Sequence, residues 1–146
     1  MIMKLIDRFR LTKLVREKLK VQGKGKFRDS VKHAIDGVDY TVSHERNFKI
    51  ELFFAVMVCI ASILFHVSVV EWVVLLLTIA IVLCLEILNT AIERCVDLVT
   101  KDYRDLAKIS KDAAAGAVFV MSIFSVCIGI CIFLPKIIAF MREVFK

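Results

Sequence analysis

Residues 72–99 read WVVLLLTIAIVLCLEILNTAIERCVDLV, and this stretch decides the fold. From Val73 to Leu85 only Thr78 and Cys84 interrupt the apolar run. A bilayer core of about 30 Å needs about 20 residues of helix, and the stretch supplies them. From Val73 to Leu85 it lacks the polar stripe that a helix of a soluble bundle needs, which disfavours that reading. Its second half carries Glu86, Asn89, Thr90, Glu93 and Asp97. At helical spacing these five share an arc of about 100° on one face. A carboxylate inside a bilayer is costly, so it points to a functional partner.

The depth of the stripe follows from helix rise. Glu86 lies roughly 21 Å along the axis from Trp72, at about 1.5 Å per residue. That leaves it about 9 Å from the inner surface of a core about 30 Å thick. Glu93 falls near the boundary itself, and the stripe runs from within the membrane toward water.

Two further spans flank this one. Residues from about 50 to 70 form the first, with His66 near its end. Residues from about 113 to 138 form the third, with Pro135-Lys136 near its far end. The chain has 146 residues, of which 59% are hydrophobic, with 5 Gly and 1 Pro, so blocks of helix are expected rather than strands. The expected class is an all-α membrane protein. The five cysteines match no zinc spacing and read as packing residues.

Lys and Arg set the orientation. Thirteen lie in residues 1–49, none in the first connection, five between Arg94 and Lys111, and three in the tail. The positive-inside rule then puts the amino terminus and the second connection in the cytoplasm, and the carboxyl terminus outside. Residues 1–26 form a basic extension without the apolar core of a signal peptide. Residues 27–43 have Phe27, Val31, Ala34, Ile35, Val38 and Val42 on one helical face, which predicts an amphipathic helix on the membrane surface. Residues 27–140 are the expected membrane domain, and 141–146 a tail.

This topology brings three polar clusters to the cytoplasmic boundary: the acidic stripe, Glu45 with Glu51 around the start of the first span, and Lys111-Asp112 before the third. Carboxylates, an amide and a lysine are the inventory of a Mg²⁺–nucleotide site. The competing reading of a buried acid is a proton or ion path. That path would need acids continuing to the outer face, and Val73 to Leu85 provide none. A purely structural membrane subunit is a third reading, against which Glu45 and the Lys111-Asp112 pair count. No soluble-kinase motif is present, and no nucleic-acid partner is expected.

The run from Glu86 to Glu93 (EILNTAIE), Val96-Asp97, Leu106-Ala107-Lys108 and Lys111 to Val118 (KDAAAGAV) resembles the signature of the small bacterial integral-membrane diacylglycerol kinase family. Glu45-Arg46-Asn47, Glu71-Trp72 and Phe133-Leu134-Pro135-Lys136 are similar to its undecaprenol kinase branch. The resemblance implies ATP-dependent phosphorylation of a lipid hydroxyl with Mg²⁺, in the bacterial plasma membrane, by a homotrimeric helical bundle. It implies Glu86 as general base, and Glu45 and Glu93 as metal-holding carboxylates that also serve the nucleotide. It implies Lys26, Asp97, Tyr103, Lys111 and Asp112 as nucleotide-binding, and Asn89 and Glu51 beside the lipid hydroxyl. Undecaprenol is the expected acceptor and diacylglycerol the alternative.

Overall fold

The computed structural model describes residues 27–145. Lys26, the rest of the basic extension and Lys146 lie outside the described residues. The described regular structure is helical: α1 (Phe27–His44), α2 (Arg46–Leu64), α3 (Val69–Val99) and α4 (Asp105–Val144). The last three are long and apolar enough to cross a membrane. Phe27–Asp39 belong to a compact unit separate from the one formed from Tyr40 onward. Within that first unit Phe27, Val31, Ile35 and Val38 are exposed.

One residue, Glu45, separates α1 from α2. Its backbone is extended (φ −99°, ψ 119°), and its side chain makes no capping bond to α2. The Lys49 Nζ donates to the Ser43 carbonyl at 2.9 Å, satisfying one of the free acceptors at the end of α1.

The first span ends at Leu64, six residues before the sequence expectation, and it starts earlier, at Arg46. The cause is a tight helix stop. The Val67 N–H donates to the Ser62 carbonyl at 3.1 Å and the His66 N–H to the Ile63 carbonyl at 3.2 Å. This is the paired closure that ends a helix through one left-handed residue, here His66 at φ 47°. Ser68 then starts α3. Its Oγ accepts from the Glu71 N–H at 3.3 Å, and its own N–H donates to Glu71 Oε2 at 2.6 Å. The reciprocal bonds satisfy two donors that a helix start leaves free.

The expected third span lies inside α4, which begins earlier, at Asp105, and runs 40 residues to Val144. Neither Gly nor Pro lies between Asp105 and Ala113 to delay its start. Pro135 removes one backbone donor but does not stop the helix. At about 1.5 Å per residue α4 is roughly 60 Å long, so its ends extend beyond an apolar core.

The central helix is α3, which packs against both α2 and α4. It buries Leu75, Thr78, Val82, Glu86, Asn89 and Thr90 on one side. Three buried hydroxyls are satisfied within their own helices: Ser62 on the Val58 carbonyl at 2.8 Å, Thr78 on Val74 at 2.8 Å, and Thr90 on Glu86 at 3.0 Å. At the other end Phe65 meets the rings of Phe133 and Phe140, and Lys136 pairs with Glu71 at 3.0 Å. Between α2 and α4, over α3, lies a groove of about 520 Å³ lined mainly by apolar side chains, with Asn47 and Glu51 among its few polar ones. Large side chains such as Phe53, Leu77, Phe119 and Val126 are exposed along the spans. Such surfaces suit lipid or neighbouring subunits rather than water.

Candidate active site

The first turns of the acidic stripe of α3 are buried, and its end at Glu93 and Asp97 is half-buried. Glu86 is 2% exposed, Asn89 8% and Thr90 4%. One turn further on, Asn89 Nδ2 donates to Glu93 Oε1 at 3.3 Å. Glu45 approaches from the α1–α2 junction and lies, like Glu93, within electrostatic range of Glu86. Glu51, one turn into α2, also reaches Glu86 electrostatically. Glu86 thus feels three other carboxylates, those of Glu45, Glu51 and Glu93, and Glu93 accepts from the buried Asn89 amide.

Two acceptor atoms in this group are buried without a hydrogen-bond partner: Glu51 Oε2 and Asn89 Oδ1. Buried acceptors are normally paired, since an unpaired one forfeits a bond it would make to water. A donor group arriving here gains bonds that the protein alone leaves unmade.

The remaining expected residues are not brought into one set. Lys111 Nζ lies 2.5 Å from Asp97 Oδ1, joining the start of α4 to the end of α3. Asp112 pairs with Lys108 on its own helix. Tyr103 lies exposed in the α3–α4 connection and is not drawn into these pairs. Lys26 lies outside the described residues.

Arg94 is the site residue that sequence spacing does not single out. It follows Glu93 directly and falls beside the acidic stripe, not on it. Its guanidinium nevertheless donates to Glu45 Oε1 at 2.7 Å and stands 5.8 Å from the centre of the Tyr40 ring.

The donor chemistry fits Mg²⁺. Glu45 and Glu93 offer hard carboxylate oxygens, while no group of three His, Cys, Asp or Glu is poised to hold a metal among the described residues. Mg²⁺ takes one or two carboxylates and completes its shell with water and phosphate, so it needs no all-protein cage.

Residues 32–133 match the family model of prokaryotic diacylglycerol kinases. The chain belongs to the prokaryotic diacylglycerol kinase family. It is 46% identical over 112 residues to an undecaprenol kinase of Bacillus subtilis (strain 168), covering 77% of this chain and 91% of that one. It is 44% identical over 113 residues to a diacylglycerol kinase of Synechocystis sp., covering 77% of this chain and 65% of the relative. A diacylglycerol kinase of Haemophilus influenzae is 25% identical over 92 residues. As a prokaryotic diacylglycerol kinase family member with three apolar helices, the chain is a multi-pass membrane lipid kinase.

Proposed function

We propose that the chain transfers the γ-phosphate of ATP to the hydroxyl of undecaprenol at the cytoplasmic edge of the bacterial plasma membrane. The carrying observation is buried Glu86, one turn from Asn89 on α3 and in electrostatic range of Glu51, a residue that lines the apolar groove and keeps a partnerless Oε2. A hydroxyl on a long apolar chain has the matching shape: one donor at the polar end and hydrocarbon along the groove. The 46% identity to the undecaprenol kinase of Bacillus subtilis supports undecaprenol as the acceptor over a glycerolipid.

In this reading Glu86 takes the hydroxyl proton, a role that a positioned carboxylate performs well. The new oxygen–phosphorus bond forms as the bond from the γ-phosphorus to the β,γ-bridging oxygen breaks, releasing ADP. Asn89 and Glu51 hold the hydroxyl end. Lys111, kept in place by Asp97, receives phosphate oxygens, and Lys26, Tyr103 and Asp112 contribute to the nucleotide. Mg²⁺, held by Glu45 and Glu93, would neutralise charge on the transferring group. Fixing the hydroxyl and phosphate in line is the main contribution that such residues make.

The distribution of Lys and Arg supports a cytoplasmic amino terminus and second connection, with the carboxyl terminus outside. The exposed apolar faces of α2 and α4, and small residues Ala113 to Ala117, support an oligomer, which we take as a homotrimer. The surface helix of the proposal is α1.

The test is transfer of radiolabelled γ-phosphate by purified protein offered undecaprenol and diacylglycerol in parallel. Preference for undecaprenol supports the proposal. Preference for diacylglycerol, the substrate named for the Synechocystis relative, overturns the acceptor assignment.

A further inference from the structure

Glu45 occupies the position that precedes α2, where short polar side chains normally cap the helix, yet it makes no capping bond. Its carboxylate is instead held across the fold by Arg94 at 2.7 Å. The pair is lopsided: the Arg94 side chain is 49% exposed and that of Glu45 21%. Only one guanidinium nitrogen is engaged by Glu45, while Tyr40 stands under the group. Glu93 and Asp97 also lie within electrostatic range of Arg94. One cation thus faces the same carboxylates that the proposed function gives to Mg²⁺.

We infer that Arg94 is the resident counter-cation of Glu45, released to the phosphates of the nucleotide when a divalent cation takes that carboxylate. The inference rests on the proposed metal role of Glu45. Guanidinium stays charged at any working pH, so it cannot leave Glu45 by losing a proton. It must exchange one anionic partner for another. A nucleotide arriving with its metal brings phosphate oxygens, whose geometry suits the guanidinium fork. The exchange is easy in energetic terms, because a partly exposed ion pair contributes little net stability. Arg94 is thus a positioning residue for Glu45 before the nucleotide arrives and a phosphate contact afterwards.

Opposite signs on two measurements test this. Full-length protein in bilayer nanodiscs is titrated with Mn²⁺ alone, following the electron paramagnetic resonance signal of free Mn²⁺. Arg94→Gln removes the competitor, and Mn²⁺ alone should bind about three- to five-fold more tightly. The KM for Mg²⁺–ATP should rise at least about ten-fold in the same variant, since a charged hydrogen bond to phosphate is lost. Arg94→Lys keeps the charge and should leave Mn²⁺ binding near that of the parent. A merely structural arginine would weaken metal binding on removal. Unchanged or weaker Mn²⁺ binding in Arg94→Gln therefore overturns the inference, as does tighter Mn²⁺ binding with an unchanged KM. Glu45→Gln separates the two claims: if it binds Mn²⁺ as well as the parent, the metal role of Glu45 itself fails.

Discussion

Lys111 and Asp97 meet at 2.5 Å, tying the first turns of α4 to the last turns of α3. Fourteen residues and the whole second connection separate them in sequence, so the contact fixes where the lysine stands relative to the acidic stripe. In the proposed function this lysine, held at one end of a row of carboxylates, receives phosphate at a set position. Lys111→Met should raise the KM for ATP about ten-fold or more, as a charged contact to phosphate is removed. Thermal unfolding should hardly change, because both side chains are part-exposed and such pairs add little stability. Steady-state kinetics beside a melting curve checks both. A large drop in Tm with unchanged KM would make the pair a structural tie.

Glu45 and Glu93 arrive at the site from different elements, the α1–α2 junction and α3. If they hold one Mg²⁺, each Glu→Gln change should raise the Mg²⁺ concentration needed for half-maximal rate. The double variant should lose little more than the worse single variant, since residues acting as a unit are non-additive. A double-mutant cycle with independent, additive losses would contradict a shared metal.

The three spans are legible in the sequence because apolar runs of bilayer length have few other uses. The stripe from Glu86 to Asp97 is legible because 3.6-residue spacing alone puts it on one face. Partners from other helices follow no local spacing. Arg94 sits off the stripe, and only the tertiary fold shows that it reaches Glu45. The end of α2 is hidden for a related reason: the stop depends on His66 adopting φ 47°, a conformation usually signalled by glycine. The early start of α4 is obscured by charged residues, which read as connection although Lys108 and Asp112 pair one turn apart on a helix.

The turn between α2 and α3 makes a stability prediction independent of chemistry. Ser68→Ala removes the hydroxyl that accepts from the Glu71 N–H. Loss of such a cap should cost about 1 kcal/mol. Unfolding in detergent should show a lower midpoint with unchanged turnover per folded molecule. An unchanged midpoint would mean that the Glu71 carboxylate holds the turn without the serine.

Subunit mixing tests the assembly. A site built between subunits should regain activity when Glu86→Gln chains are mixed with Lys111→Ala chains, each inactive alone. Some mixed sites then combine an intact Glu86 with an intact Lys111. Label transfer by mixed oligomers, with mixing confirmed by two affinity tags, reads this out. Absence of rescue would place each site within one chain.

The central claim is that Glu86, buried at 2% exposure, accepts the proton of the lipid hydroxyl. Glutamine keeps the shape and hydrogen-bonding reach of the side chain while removing its basicity. The most direct measurement is the initial rate of γ-phosphate transfer to lipid by Glu86→Gln at saturating ATP and lipid, with the melting curve and oligomer size recorded on the same preparation. The account expects a loss of at least about 100-fold, the scale of a missing general base, with fold and assembly unchanged. A folded, assembled variant that retains more than about a tenth of the rate would contradict it, being well above what loss of a general base leaves.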